Sequence, residues 1–124
     1  MTTHAQLFAH LAAAEVELGP SPAPARIIEG DPRCGEHVLV DLPGLEIGVW
    51  EVTEGRFASS KPEVGEVMHF VSGAGELTHP DGSTTRIAPG VTVSLRAGWS
   101  GEWHVTEPVR KVYVIYRDDP DSGA

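Results

Sequence analysis

Between Arg26 and Tyr116 the sequence is a succession of short apolar runs, each closed by a glycine or proline turn, and this punctuation leaves no room for a helix. Residues 37–40 end at Leu42-Pro43-Gly44, residues 45–53 at Glu54-Gly55, residues 66–71 at Ser72-Gly73, and residues 75–78 at Pro80-Asp81-Gly82. Residues 84–87 then end at Pro89-Gly90, residues 91–95 at Ala97-Gly98, and residues 101–105 at Glu107-Pro108, which leaves 111–116 as the last run. Glycine reaches backbone conformations that other residues avoid, and proline lacks the amide a central strand must donate, so both mark strand ends. About eight short strands at such spacing predict an all-β sandwich or barrel rather than a parallel sheet with crossover helices.

The first 25 residues read differently. Thr3 followed by Gln6 fits a capping box, and Leu7, Leu11, Ala14 and Leu18 recur at helical spacing until Gly19-Pro20. An amphipathic helix is therefore predicted over residues 4–18, its apolar stripe covered by the barrel or by a second subunit. Pro20, Pro22 and Pro24 make the next stretch an extended, stiff connector. The expected organisation is helix and connector over residues 1–25 and a barrel over 26–124, together one domain in a chain of 124 residues.

Charge and cysteine usage narrow the partners. A net charge of -9, with its basic residues scattered, gives no patch that could displace counterions from a phosphate backbone, so nucleic acid is not an expected partner. The N-terminal apolar run is short and interrupted, so neither a membrane span nor a secretory leader is expected. The single cysteine, Cys34, has no partner for an internal disulfide, which suits a reducing compartment and predicts a cytoplasmic protein.

Four stretches carry a family resemblance. The residues 48–57, Gly-Val-Trp-Glu-Val-Thr-Glu-Gly-Arg-Phe, are followed by Gly65-Glu66 leading to Gly73, and then by Ala97-Gly98-Trp99-Ser100-Gly101-Glu102-Trp103 and Glu107-Pro108-Val109-Arg110-Lys111-Val112-Tyr113. This pattern resembles the small cupins grouped with the ureidoglycine aminohydrolase and ethanolamine-utilisation cupins, over about residues 26 to 117. The resemblance implies a double-stranded β-helix, a jelly-roll barrel with its site at the open mouth, and commonly a homodimer.

In metal-binding cupins two histidines precede a glutamate, and a third histidine follows a later turn. Glu66 matches that glutamate by its interval to Gly73, but Ser60, Lys61 and Pro62 stand where the imidazoles would, and Gly101 stands where the third would. One carboxylate cannot hold a transition metal, which needs several converging donors, so no metal and no cofactor are expected.

Strand alternation then assigns an interior. If Glu66 points inward, Met68 and Phe70 share its face and His69 does not; counted from Gly101, Trp103 points inward and His104 outward. With Trp50 or Glu51 from an earlier strand, Arg56 near the mouth and Tyr113 from the last strand, these form an expected ligand-binding set. Glu66 is the candidate catalytic residue, its pKa raised by an apolar setting, unless it is held in an ion pair with Arg56, Lys61 or Arg96. Arg110 and Lys111 read as structural ion pairs at a turn, His79 as solvated, and Trp99 as a rim residue. The expectation is a metal-free cupin that binds a small polar or amphipathic metabolite. The alternatives are an acid/base isomerase, dehydratase or C–N hydrolase using Glu66, or a metal-dependent aminohydrolase.

Overall fold

The computed structural model describes residues 7–118. It is all-β there, with nine strands: β1 Gly19–Ser21, β2 Arg26–Gly30, β3 Cys34–Leu42, β4 Leu45–Val52, β5 Gly55–Ser60, β6 Val64–Thr78, β7 Thr84–Ile87, β8 Thr92–Leu95 and β9 Ser100–Arg117. Every pairing is antiparallel. No helix among the described residues is long and apolar enough to cross a membrane.

Two long strands close the jelly-roll barrel. β9 pairs with β5 through its first part, Ser100 to Val105, and with β4 through its last, Val109 to Tyr116. On its other edge it follows β6 along almost the whole length. β6 in turn takes β8 against its first half and β7 against its second. Each long strand thus passes from one layer to the other, and the apolar residues between the layers form the core. Phe57, Met68, Phe70, Leu77, Ile87 and Trp103 are all buried in one cluster, each contributing about 1.5–3 kcal/mol through the surface it removes from water.

The expected breaks at Ser72-Gly73 and Glu107-Pro108 are not strand ends. They face each other across the β6–β9 ladder, whose register shifts between Phe70 and Ser72, between Ser72 and Ala74, and between Ala74 and Gly75. Pro108 falls where this bulged stretch asks for no regular amide bond. Gly73, at a φ of 103°, makes the approach possible, since a Cβ there would lie 2.3 Å from the Pro108 carbonyl oxygen.

The predicted N-terminal helix is corrected. Its first residues, 4–6, lie outside the described residues; over 7–18 the chain forms only one turn, in which the Glu15 and Val16 amides donate to the Ala12 carbonyl at 3.0 and 2.9 Å. Leu7 is 94% exposed and Ala14 is exposed, while Leu11 and Leu18 are only half-buried, so the apolar stripe is not covered as one face. A short helix without a buried face does not sustain itself. Arg110 engages the turn instead, its Nη1 donating to the carbonyls of Ala13 and Val16 at 3.0 and 2.9 Å, and the proline segment continues as β1 along the edge of β3.

Candidate functional site

A cleft of about 600 Å³ is walled by β4, β5, β6 and β9 and bordered by Pro22, Pro24 and Arg26 of the segment leading into β2. Trp50, Phe57 and Trp103 supply its apolar wall. The Phe57 and Trp103 rings stack at 5.6 Å and 15°, while Trp50 meets Trp103 edge-on at 5.6 Å and 67°. Register explains the assembly: Trp103 is paired with Phe57 across β5–β9, and Trp50 with Lys111 across β4–β9, so each pair projects to one face.

The chain's two lysines meet on one carboxylate in this cleft. Lys111 Nζ lies 2.5 Å from Glu66 Oε2, and Lys61 Nζ lies 2.7 Å from Glu66 Oε1. Lys61 follows the end of β5, and its backbone is held at both ends: its amide donates to the Trp99 carbonyl at 2.8 Å and its carbonyl accepts from the Gly98 amide at 2.6 Å. Trp99 is anchored in its turn, its indole N–H donating to His79 Nδ1 at 3.0 Å. That fixes the hydrogen of His79 on Nε2, which reaches Thr85 Oγ1 at 2.7 Å. His79 is therefore not the solvated residue expected from its turn.

Burial sets the protonation of the cluster. It pushes the Glu66 carboxyl up, but the ammonium groups of Lys111 and Lys61 outweigh it and hold Glu66 below its usual range. The raised pKa expected from the aromatic walls is therefore not found; of the ion-pair partners expected as its alternative Lys61 is present, and Lys111 adds a second. For Lys111 burial dominates and pushes its pKa down, against the opposing pull of Glu66 and with Lys61 adding to the fall. Lys111 Nζ also stands 4.5 Å from the centre of the Trp50 ring and 5.0 Å from that of Trp103. Those ring faces favour a cation and offset part of the burial.

Two further polar groups edge the cleft. The Tyr113 hydroxyl lies 2.9 Å from Glu36 Oε2 and 2.8 Å from Glu46 Oε2 and, with one hydrogen, donates to one of them at a time. Burial, then the bonds to Glu46 and Glu36, push its pKa up. The Cys34 thiol is also pushed up by burial, despite the opposing charge of Lys111.

The donor set does not fit a metal ion. Both Glu66 oxygens already face ammonium groups, and the described residues contain no cluster of three His, Cys, Asp or Glu side chains. His69 and His104 are exposed, as alternation indicates, and His69 Nδ1 pairs with Thr92 Oγ1 at 2.7 Å.

Of the expected ligand set, Glu66, Trp50, Trp103 and Tyr113 line the cleft, and four residues do not. Met68 and Phe70 share Glu66's face but are sealed in the core at 0% exposure, because the cleft reaches only the Glu66 end of β6. Glu51 alternates away from Trp50 and pairs with Arg110 at 2.8 Å. Arg56 spends its guanidinium on Glu102 at 3.0 Å and Glu29 at 3.5 Å.

Arg110 and Lys111 both form ion pairs, as expected, but from within β9 rather than at a turn, and Lys111 does so in the interior. Trp103, Val105, Val109, Lys111 and Tyr113 are all buried, so the odd-numbered positions face inward on both sides of the bulge, in which the odd-numbered Glu107 is exposed. Carrying the parity from Gly101 through to Tyr113 would have placed an amine in the interior.

A double-stranded β-helix whose site lies among the inward residues of its long strands defines a cupin. Within that class the chain belongs to the EutQ-like cupin domain family, which its residues 43–113 match. Among solved structures it is similar to a DUF861-family protein of unknown function from Pseudomonas syringae pv. tomato, with 32% identity and a TM-score of 0.71 over 81% of this chain. The match spans only 44% of that protein's length. The EutQ protein of Clostridium difficile is 22% identical at a TM-score of 0.61, over 71% of each chain. The polyketide cyclase RemF of Streptomyces resistomycificus is 17% identical at a TM-score of 0.65, over 89% of this chain and 80% of its own. The likeness to the last two is one of fold. No curated protein matches the sequence.

Proposed function

We propose that this cupin binds a small amphipathic organic molecule in the cleft between Trp50 and Trp103, with no metal ion in the site. The observation that carries the reading is the composition of the cleft, an aromatic wall beside a floor of two lysines and one glutamate in a space of about 600 Å³. Small-molecule sites are concave, about 300–1,000 Å³, mostly apolar, with a few polar groups that fix orientation. An apolar body would lie against the rings, and a polar end would reach Lys61, whose side chain keeps 20% of its surface accessible. Glu66 is ionised at rest, held so by the adjoining lysines against the pull of burial, so it starts as a proton acceptor rather than as a standing acid. A cytoplasmic homodimer belongs to the same reading, supported by the lone cysteine and by the exposed Ile27 and Ile28 on the edge strand β2.

Tryptophan fluorescence tests the reading directly. Titration with benzoate, indole-3-acetate, hexanoate and the corresponding alcohols is expected to give saturable quenching with at least one of them. The same compound should slow alkylation of Cys34, which lines the cleft. Ser59→Trp, which fills the cleft, should abolish both effects at unchanged fold. Binding that survives Ser59→Trp, or no saturable response to any compound, overturns the proposal.

A further inference from the structure

We propose that Lys111 is a carbonyl-condensing amine, so that the cleft takes an aldehyde or ketone on an aromatic or apolar body and holds it as an imine. This rests on the cleft being a ligand site, and it follows from the count of charges on the cleft floor. Two amines share one carboxylate, Lys111 at 2.5 Å and Lys61 at 2.7 Å. Were both amines protonated, the cluster would carry a net positive charge in a desolvated setting, and such a group sheds a proton rather than remain charged. The one to lose it is the more deeply buried, and the Lys111 side chain is 7% exposed against 20% for Lys61. Burial and the neighbouring Lys61 both act on Lys111 in that direction. The charged groups that bear on Lys111 are Glu66 and Lys61, with the Cys34 thiol beside them; Glu66, Cys34 and the Trp50 and Trp103 ring faces favour its charged form, and burial and Lys61 oppose it.

The arrangement left is an amine, a proton donor and a proton acceptor around one open space. The Lys111 nitrogen attacks the carbonyl carbon, and the carbon–oxygen π pair moves to oxygen, which takes a proton from the Lys61 ammonium. The new C–N⁺H₂ group gives one proton to Glu66, forming a neutral carbinolamine. Glu66 returns that proton to the hydroxyl, which leaves as water while the nitrogen lone pair closes the C=N bond. The iminium then passes its proton back to Lys61, so the sum is amine plus carbonyl to imine plus water, with no oxidant or reductant. The iminium stage faces the rings that face Lys111 Nζ at 4.5 and 5.0 Å, which stabilise a cation on that nitrogen.

The test uses benzaldehyde with sodium cyanoborohydride at pH 7, the hydride trapping any imine as a secondary amine, and peptide mapping to locate it. Lys61 is the other lysine of the sequence, and the terminal amine of the purified protein, Met1 in this numbering, also competes. Lys111, the neutral amine of the pair, is expected to be trapped about ten-fold or more faster than Lys61. Lys61→Met leaves one amine for one carboxylate, restores the charge on Lys111 and should slow its trapping about ten-fold or more, although it widens access. Lys61→Arg, which keeps the second cation, should keep Lys111 reactive. Trapping confined to Met1 or Lys61, or a Lys61→Met variant that is equally or more reactive at Lys111, overturns the inference. Benzyl alcohol, which cannot condense, separates the two claims. If it quenches tryptophan fluorescence saturably and Lys111 stays unlabelled, the amine chemistry is wrong and the ligand site stands; if neither occurs, both fall.

Discussion

Glu66→Gln isolates the interaction on which the cleft floor depends. Glu66 is 1% exposed and both its oxygens accept from ammonium groups. A glutamine keeps the shape but turns an NH₂ group toward one of the two lysines and removes the charge that opposed them. Breaking a buried pair by removing one partner costs about 3–5 kcal/mol. The lower end applies, since Lys111 can release its proton rather than remain an unpaired buried cation. At about 3–5 °C per kcal/mol for a domain of this size, the thermal midpoint should fall by roughly 10–15 °C at pH 7.

The pH dependence sharpens this expectation. Glu66 titrates in the fold below its ordinary value of 4.5, so its contribution is fully present above that pH and is lost as pH falls through the lower folded value. The variant lacks this acid loss. Lys111 also titrates below its ordinary 10.5, so the unfolded chain binds the extra proton and stability rises with pH up to that value. With no carboxylate to hold the charge the rise is larger in the variant, and the gap to wild type narrows in alkali. Calorimetry from pH 3 to 10, with Lys111→Met completing a double-mutant cycle, measures each part, and the coupling should be about 2–3 kcal/mol. A Glu66→Gln loss below ~1 kcal/mol at pH 7 with an unchanged pH profile would refute a carboxylate clamped between the two lysines.

Two other substitutions probe the surrounding wall. Tyr113→Phe removes the hydroxyl shared by Glu36 and Glu46 and should cost about 1–2 kcal/mol in chemical denaturation. Because Tyr113 titrates in the fold above its ordinary 10.0, wild-type stability should decline once pH passes that value, and the variant should lose this decline; an unchanged alkaline limb would count against the buried phenol. Gly48→Ala should cost about 1–3 kcal/mol by overpacking, because a Cβ there would lie 2.5 Å from the His37 carbonyl oxygen and 2.7 Å from the Tyr113 hydroxyl. Circular dichroism melting showing a variant as stable as wild type would mean Tyr113 does not cross the barrel at that point.

The barrel was legible because its signals are local. Turn residues cut the chain and alternation sets the faces, and neither depends on distant sequence, so Glu66, Trp103 and the outward His69 and His104 could be oriented before any contact was known. Signals that depend on partners misled. Leu7, Leu11, Ala14 and Leu18 carry a helical period, but a period becomes a helix only where a face can be buried, and Leu7 remains 94% exposed. Glu51 and Arg56 were plausible cleft residues by type, and their neighbours Arg110, Glu102 and Glu29 claim them from sites far along the chain. For Glu66 the ion pair with Lys61 was among the alternatives, but Lys111, which reaches it from β9, was not, and the two together reverse the rise that burial alone would give.

The replacement at the cleft floor has a charge logic of its own. The resemblance to metal-binding cupins implies a divalent cation beside the carboxylate at the Glu66 position, for a net charge of one on that pair. Two lysines on Glu66 would reach the same formal charge only if both were protonated; with Lys111 neutral, the cluster carries no net charge. The chemistry also changes sign in one respect. A metal ion accepts lone pairs from its ligands and substrate, whereas an ammonium group donates a proton and, once it has done so, presents a lone pair. A ligand carbonyl would therefore meet hydrogen-bond donation from Lys61 and nucleophilic nitrogen from Lys111 in place of Lewis acidity. Keeping one amine charged and the other neutral depends on their unequal burial, 20% against 7% exposed. A substitution that equalised the two would remove the division of labour even with every residue of the cluster in place.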